Sequence, residues 1–240
     1  MKTCIIAPCF NESDGIGTYI SELDSCLSGI ELILFDDCSL DGTVEMIQTS
    51  PVKQIVVTVI QNSQNLGHGR TIRKAWEYAL RREYSIIALV DGDGQIPGFG
   101  IRTGLEIFES EGLDIFEGVR TGRTDPWFRK LISRMLRVLV FLNCGKMPSD
   151  ANTPFRIYTK ETLSKMISEV PPDSPTPNLH MSILARKLRL RYLEVPVITR
   201  DRLGDSKIGS TWSAKTTLLP SKKLLLFCFS ALKSITLRNR

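Results

Sequence analysis

Ile86-Ile87-Ala88-Leu89-Val90-Asp91-Gly92-Asp93-Gly94-Gln95 is an apolar run that stops abruptly at two carboxylates and an amide. The run from Ile86 to Val90 is β-branched and too short for a helix of its own, so it reads as a buried, parallel strand. Ligands of open α/β sheets collect beyond the carboxyl ends of such strands. Asp91, Asp93 and Gln95 are spaced two apart, so in extended chain they point the same way. Gly92 and Gly94 allow a tight turn or close approach of a ligand to the backbone. Hard oxygen donors in this place suit a Mg²⁺ or Mn²⁺ that keeps several waters and shares a substrate's phosphates.

The residues before this stretch repeat its plan. Thr3 to Ala7 reads as a first strand, stopped by Pro8 and followed by Asn11, Glu12 and a helix from about Ile16 to Leu27. Glu31 to Phe35 is a second strand ending in Asp36-Asp37-Cys38-Ser39, with Ser39 or Asp41 placed to cap the next helix. Ile55 to Ile60 is a third strand, followed by a loop over 62–69 and a helix over 70–82. Strands alternating with helices predict an α/β domain built on a mostly parallel sheet with right-handed crossovers.

Composition narrows the function. At 240 residues the chain is long enough for one α/β domain with a sizeable core, or for two small ones. The net charge is +5, and Arg and Lys gather in the second half, which favours an anionic partner there. Cys4, Cys9, Cys26, Cys38, Cys144 and Cys228 show no paired spacing for zinc and suit a reducing compartment. Neither GxGxxG after the first strand nor GxxxxGK[ST] is present, which argues against a dinucleotide dehydrogenase and a P-loop ATPase. No aromatic-interleaved basic motif supports nucleic-acid binding. An acidic rim binds a ribose or base through its hydroxyl and amide hydrogens, and binds a diphosphate only through a cation.

Four blocks together carry a resemblance: Pro8-Cys9-Phe10-Asn11-Glu12, Asp36-Asp37-Cys38-Ser39-Leu40-Asp41-Gly42-Thr43, Asn65-Leu66-Gly67-His68-Gly69 and Asp91-Gly92-Asp93-Gly94-Gln95. In this order they resemble family 2 glycosyltransferases of the GT-A fold, a single Rossmann-like domain with a mostly parallel central sheet flanked by helices. The second half adds a strand at 114–118, Arg120 and Arg123, a basic helix from about Trp127 to Leu142 with Ser133-Arg134, Asp150 to Arg156, and Arg202 to Lys207. These are similar to the dolichyl- and polyprenyl-phosphate sugar synthases, which move mannose or glucose from GDP or UDP onto a lipid phosphate. Pro154 stands where that family usually has Gly, and Asp201 where it often has Arg.

The resemblance implies an inverting transferase that takes GDP-mannose or UDP-glucose and a polyprenyl or dolichyl phosphate, with Mg²⁺ or Mn²⁺. It implies that Pro8, Phe10, Glu12 and Asp37 line the base and ribose pocket and that Asp91, with Gly92 beside it, holds the nucleoside. Asp93 and Gln95 hold the metal, while Lys207 and Arg202 or Arg200 clamp the leaving group. Arg120, Arg134 and Arg156 receive the lipid phosphate, since arginine forks match phosphate oxygens. Asp37 reaches the ligand and Asp36 serves the turn in this reading, with the two exchangeable, and a helix start is the lesser reading of Glu12. Asp150 is the base if the acceptor is a sugar or protein hydroxyl; for a phosphate acceptor it orients its neighbours. A nucleotide-sugar-binding subunit without turnover is the third reading.

Residues 1–210 are expected to form the domain, with 1–118 for the donor and 119–210 for the acceptor. Residues 211–240 combine lysines with a short apolar run, for an interfacial segment or a helix on the core. No signal-peptide pattern or apolar stretch of about 18 residues is present. The expected location is the cytoplasm, peripheral at the cytosolic face of a membrane, with a membrane-protein partner or a second copy as possible company.

Overall fold

The computed structural model describes residues 2–122, 127–188 and 190–204. The expected central strand is present as β4 (Ile86–Leu89). Before it come β1 (Thr3–Cys9), α1 (Ser13–Cys26), β2 (Glu31–Asp36), α2 (Thr43–Thr49), β3 (Val56–Gln61) and α3 (His68–Leu80). After it come α4 (Gly98–Ser110), β5 (Ile115–Thr121), α5 (Trp127–Cys144), β6 (Arg156–Thr159), α6 (Lys160–Ile167), α7 (Pro177–Lys187) and β7 (Tyr192–Ile198).

These strands form a seven-stranded sheet in the order β3-β2-β1-β4-β6-β5-β7. Strand β6 is antiparallel to both β4 and β5, and the remaining pairs are parallel. The mostly parallel α/β sheet read from the sequence is therefore the fold observed. Elements α4, β6, α6, α7 and β7 were not among those assigned from sequence.

Alternation along the strands feeds two apolar layers. Ile5, Ala7, Leu32, Leu34, Ala88, Phe116 and Ile157 face α1 and α4, meeting Ile16, Ile20, Leu23, Ile101 and Phe108. Cys4, Ile6, Ile33, Phe35, Ile87, Leu89 and Tyr158 face α3 and α6, meeting Ile72, Ala75, Trp76, Ala79, Leu163 and Met166. The spacing 72, 75, 76 and 79 is one face of a helix, which is why α3 was legible.

Pro8 does not end β1, contrary to the sequence expectation: the strand runs to Cys9, with Pro8 opposite Phe35 and Cys9 opposite Asp36. Its carbonyl accepts the Gly92 N–H at 3.0 Å, on the side where β4 has already ended at Leu89. The missing N–H lies on that same side, and it is there that the pairing of β1 with β4 stops, at Ile6 opposite Leu89.

Gly104 marks where α4 meets the sheet most closely. A Cβ there would lie 2.7 Å from Phe155 Cζ and 3.1 Å from Phe116 Cζ. The Phe116 and Phe155 rings are themselves in tilted contact, with centroids 5.1 Å apart. Gly104→Ala is expected to overpack this contact at a cost of about 1–3 kcal/mol, against the roughly 1 kcal/mol that Ala adds within a helix. Urea unfolding checks it, and a variant clearly more stable than wild type would contradict the contact.

Candidate active site

Topology brings the chemistry to one edge. The carboxyl ends of β1, β2, β3, β4, β5 and β7 share one rim, and antiparallel β6 starts there, so the 149–155 segment before it arrives at the same rim. Asp91 to Gln95, Arg120, Asp150 and the segment after β7 are thereby gathered. Strand β5 lies two strands from β4, about 10 Å away at the usual strand spacing.

The acidic loop is built tightly. Gly92 is required, because a Cβ there would lie 2.9 Å from Cys9 Cβ and 3.0 Å from Pro8 O. Asp93 Oδ1 accepts the Gln95 N–H at 3.1 Å, and Tyr19 of α1 donates to Ile96 O at 2.9 Å. His68, at the first position of α3, places Nε2 3.6 Å from Asp91 Oδ1, an ion pair when the imidazole is protonated.

The segment after β7 straps this loop down. Arg200 N–H donates to Gln95 O at 3.1 Å and Leu203 N–H to Asp93 O at 3.0 Å. Arg200 Nε donates to Gly94 O at 2.8 Å, and its Nη2 pairs with Glu22 of α1. Leu203 lies over Gly15 and Gly94, where any Cβ would collide with it. The two arginines therefore separate: Arg200 latches the strap, and Arg202 Nη2 reaches into the cleft to pair with Glu12 Oε1. Lys207 and Arg123 lie outside the described residues.

Glu12 occupies the N-cap position of α1 without a side-chain capping bond. Its side chain is buried with Arg202 instead. Glu12 Oε2, Asp91 Oδ1, Arg202 Nε and Arg202 Nη1 are buried with no hydrogen-bond partner among the described residues. Such orphans are rare unless a ligand completes them.

Asp36 and Asp37 both turn inward. Asp36 accepts from Ser39 N–H and Oγ and from Gln61 Nε2. Asp37 Oδ1 accepts from Asn62 Nδ2 at 2.9 Å and Leu66 N–H at 2.8 Å, and its Oδ2 from Gly67 N–H at 2.8 Å. Asp37 thus shapes the loop that leads into α3. Asp41 reaches Thr43 N–H of α2 and Ser13 N–H of α1, both at 3.1 Å, serving two helix starts. Asn11 and Cys38 hold left-handed backbone (φ 53° and 65°) where the β1 and β2 ends face each other. Non-glycine residues in that region concentrate at functional sites. Phe10 is half-buried beside them, and Pro8 is buried.

The basic residues divide. Arg120 Nε donates to Asp150 Oδ2 at 2.6 Å, while Nη2 donates to Asp150 Oδ1 and Asn152 O, each at 3.0 Å. Arg134 is exposed on α5. Arg156 corrects the expectation of a phosphate-facing cation: it is fully buried on β6, opposite Glu117 of β5, and paired with that carboxylate. Its own ion pair and the surrounding core withdraw it from any ligand.

Burial, reinforced by the Asp91 charge, pushes the Asp93 carboxyl up to about 6. Burial also pushes Glu12 up to about 8, with Arg202 opposing the rise and Asp93 and Asp91 adding to it. Neighbouring carboxylates with unmet charge fit a divalent cation. No group of three His, Cys, Asp or Glu side chains converges among the described residues. Asp91 and Asp93 would fit a Mg²⁺ or Mn²⁺ only as an ion that takes most of its ligands from water and phosphate. Sequence reasoning missed the Arg200–Glu22 latch and the pairing of buried Glu117 and Arg186 with half-buried Glu194, because these contacts are tertiary and leave no local pattern.

Comparison with known proteins agrees with this geometry. The family described as Glycosyl transferase family 2 matches residues 4–172. The undecaprenyl-phosphate 4-deoxy-4-formamido-L-arabinose transferase of Edwardsiella ictaluri (strain 93-146) is 27% identical over 212 residues, covering 85% of this chain and 62% of that protein. The transferase of the same name from Klebsiella pneumoniae (strain 342) is 28% identical over 213 residues, covering 86% and 62%. The chain thus spans about 62% of the length of the curated relatives it matches. Among solved structures, mannosyl-3-phosphoglycerate synthase from Rubrobacter xylanophilus superposes with a TM-score of 0.69 at 12% identity, covering 99% of this chain and 74% of that one. Glucosyl-3-phosphoglycerate synthase from Mycobacterium tuberculosis, solved with Mn²⁺, UDP-glucose and phosphoglyceric acid, gives 0.67 at 15% identity, covering 99% and 79%. These neighbours share the GT-A fold.

A carboxyl whose folded pKa is raised binds its proton more tightly in the folded chain than in the unfolded one. Asp93 and Glu12 therefore favour the fold most at low pH, and their contribution is lost as pH rises from about 4 through about 8. In chelator-containing buffer the melting temperature of wild type should reflect that loss, and Asp93→Asn should make the dependence shallower around pH 6. An identical pH dependence in wild type and variant would contradict the shared-charge account.

Proposed function

Because the chain belongs to glycosyl transferase family 2, we propose that it transfers a sugar, with inversion, from a nucleoside diphosphate sugar to a polyprenyl phosphate. The observation that carries this reading is the Arg120–Asp150 fork. A hydroxyl acceptor needs a base, and Asp150 was the candidate; both its oxygens already accept charge-assisted bonds from Arg120. A phosphate acceptor is already anionic, so the attacking oxygen loses no proton and needs cations to hold it.

In this reading residues 1–118 bind the donor, joined by the basic residues after β7, and the remainder of 119–210 binds the acceptor. Pro8, Phe10, Glu12 and Asp91 surround the nucleoside, with Gly92 letting the Asp91–Gln95 loop pack directly on β1. Asp37 supports the pocket by fixing the loop before α3. Asp93 and Gln95, with Asp91 adjacent, hold Mg²⁺ or Mn²⁺, which would neutralise the departing diphosphate. Arg202 exchanges Glu12 for phosphate oxygens as the donor enters, and Lys207 joins it. Arg120 and Arg134 seat the acceptor phosphate; one of its oxygens forms the new bond to the anomeric carbon as the bond to the diphosphate breaks.

The helix α5 supports a lipid acceptor. Trp127, Leu131, Met135, Val138 and Leu142 are exposed at helical spacing, α5 has no acidic residue, and Lys130 and Arg134 lie among them. An amphipathic helix of this composition lies in an anionic membrane interface. No helix of the described residues is long and apolar enough to cross a membrane. Peripheral attachment at the cytosolic face, alone, as an oligomer or with a membrane-protein partner, is the arrangement proposed; the 211–240 tail lies outside the described residues.

The test is transfer of radiolabelled sugar to a short polyprenyl phosphate in detergent. GDP-mannose and UDP-glucose are the first donors, followed by a nucleoside diphosphate donor of 4-deoxy-4-formamido-L-arabinose, the sugar in the relatives' names. A lipid-linked product that disappears with EDTA is expected. Donor turnover with no lipid product, or product insensitive to EDTA, would overturn the acceptor or the metal assignment respectively.

A further inference from the structure

Three charged side chains, Glu117, Arg156 and Arg186, are buried away from the donor cleft, and a fourth, Glu194, is half-buried beside them. Glu117 of β5 pairs through Oε1 with Arg156 of β6 and through Oε2, at 2.9 Å, with Arg186 of α7. Arg186 in turn contacts Glu194 Oε1 of β7 at 2.6 Å and is further held by Ser182 O and Oγ, both at 2.9 Å. Burying such charges costs several kcal/mol each before pairing, and apolar replacements are often as stable. Stability alone is therefore a poor reason for the arrangement.

Its outlet is the 149–153 segment. Glu194 accepts the Ser149 N–H at 2.8 Å and the Ser149 hydroxyl at 2.9 Å. Arg156 reaches toward Ala151 O and Thr153 O at 3.5 and 3.4 Å. The Thr153 hydroxyl bonds Gly118 O of β5, and Arg120 takes Asp150 and Asn152 O. Every residue from 149 to 153 is held by a named partner, and the residue in the middle of the grip that faces Arg120 is Asp150.

We propose that Glu194 and Arg186 are positioning residues for the acceptor site: they anchor the 149–153 segment so that Asp150 holds the Arg120 guanidinium in its working orientation on the rim. The proposal rests on the assignment of Arg120 to the acceptor phosphate. The mechanical link is direct. Glu194 fixes Ser149 by two bonds, Asp150 follows it in the chain, and Asp150 presents both oxygens to Arg120. Loosening Glu194 frees the Asp150 carboxylate to rotate, and Arg120 loses the fork that orients it. The donor cleft, two strands away, shares none of these bonds.

The test compares wild type, Glu194→Gln, Glu194→Asp and Arg120→Ala in the full chain. Hydrogen exchange is followed at 149–153, and KM is measured separately for donor and polyprenyl phosphate. Glu194→Gln should speed exchange at 149–153 and raise the acceptor KM about tenfold, the scale of one charge-assisted hydrogen bond, with donor KM unchanged. Glu194→Asp, which keeps the charge, should recover part of the loss. Equal changes in both KM values, or faster exchange with an unaltered acceptor KM, would overturn the positioning role. Arg120→Ala separates the two levels. If it leaves the acceptor KM unchanged, the functional assignment of Arg120 fails; if it raises that KM and Glu194→Gln does not, the positioning proposal fails alone.

Discussion

Antiparallel β6 is the constraint on which the arrangement depends. Had the strand between β4 and β5 been parallel to them, its amino end would lie on the far edge of the sheet. Because β6 runs backwards, the 149–155 segment reaches the rim where β4 delivers Asp91 and Asp93 and β5 delivers Arg120. One reversed strand therefore sets an acidic site and a basic site side by side. The separation of about 10 Å follows from strand spacing and holds whatever side chains the sheet carries.

The acidic half is a cleft with unmet charge. Asp91 and Asp93 face each other's fields, Glu12 is buried nearby, and Arg202 from the strap supplies the counter-charge. Like carboxylates in a desolvated place resist ionisation together, so any cation entering the cleft relieves the same strain. Arg202 does this from within the chain, and in the proposed reaction a metal arriving with the donor's diphosphate would do it from outside. The latch of Arg200 to Glu22 and to Gly94 O holds the strap independently of Arg202, so Arg202 can change partners while the strap stays closed.

Much of this was readable from residues alone, and the limits have physical causes. The Ile86–Val90 run, the acidic turns after β1, β2 and β4, and the apolar face of α3 are local patterns. They placed half the sheet and the edge where the site lies. Strand β6 hid because it has four residues and opens on Arg156, whose charge signals a surface while the fold buries it against Glu117. Helix α7 hid because it is buried nearly all round, with Asn178, Ser182 and Arg186 inside beside Leu179, Met181 and Ile183, so no one-sided apolar stripe betrays it. Pro196 and Glu194 likewise disguise β7. Asp36 and Asp37 could not be ranked from sequence, since which carboxylate meets which loop is settled by Gln61, Asn62 and Gly67, twenty-five or more residues away.

The central claim is that the rim seats an anionic acceptor with cations and needs no base. Steady-state transfer by Asp150→Asn, at saturating donor over a range of polyprenyl phosphate, tests it most directly. The account predicts a raised acceptor KM, with turnover at saturating acceptor staying within about tenfold of wild type, because only the orientation of Arg120 is lost. A loss of turnover of about 10²–10⁴-fold at saturating acceptor, the range for removal of a general base, would contradict it.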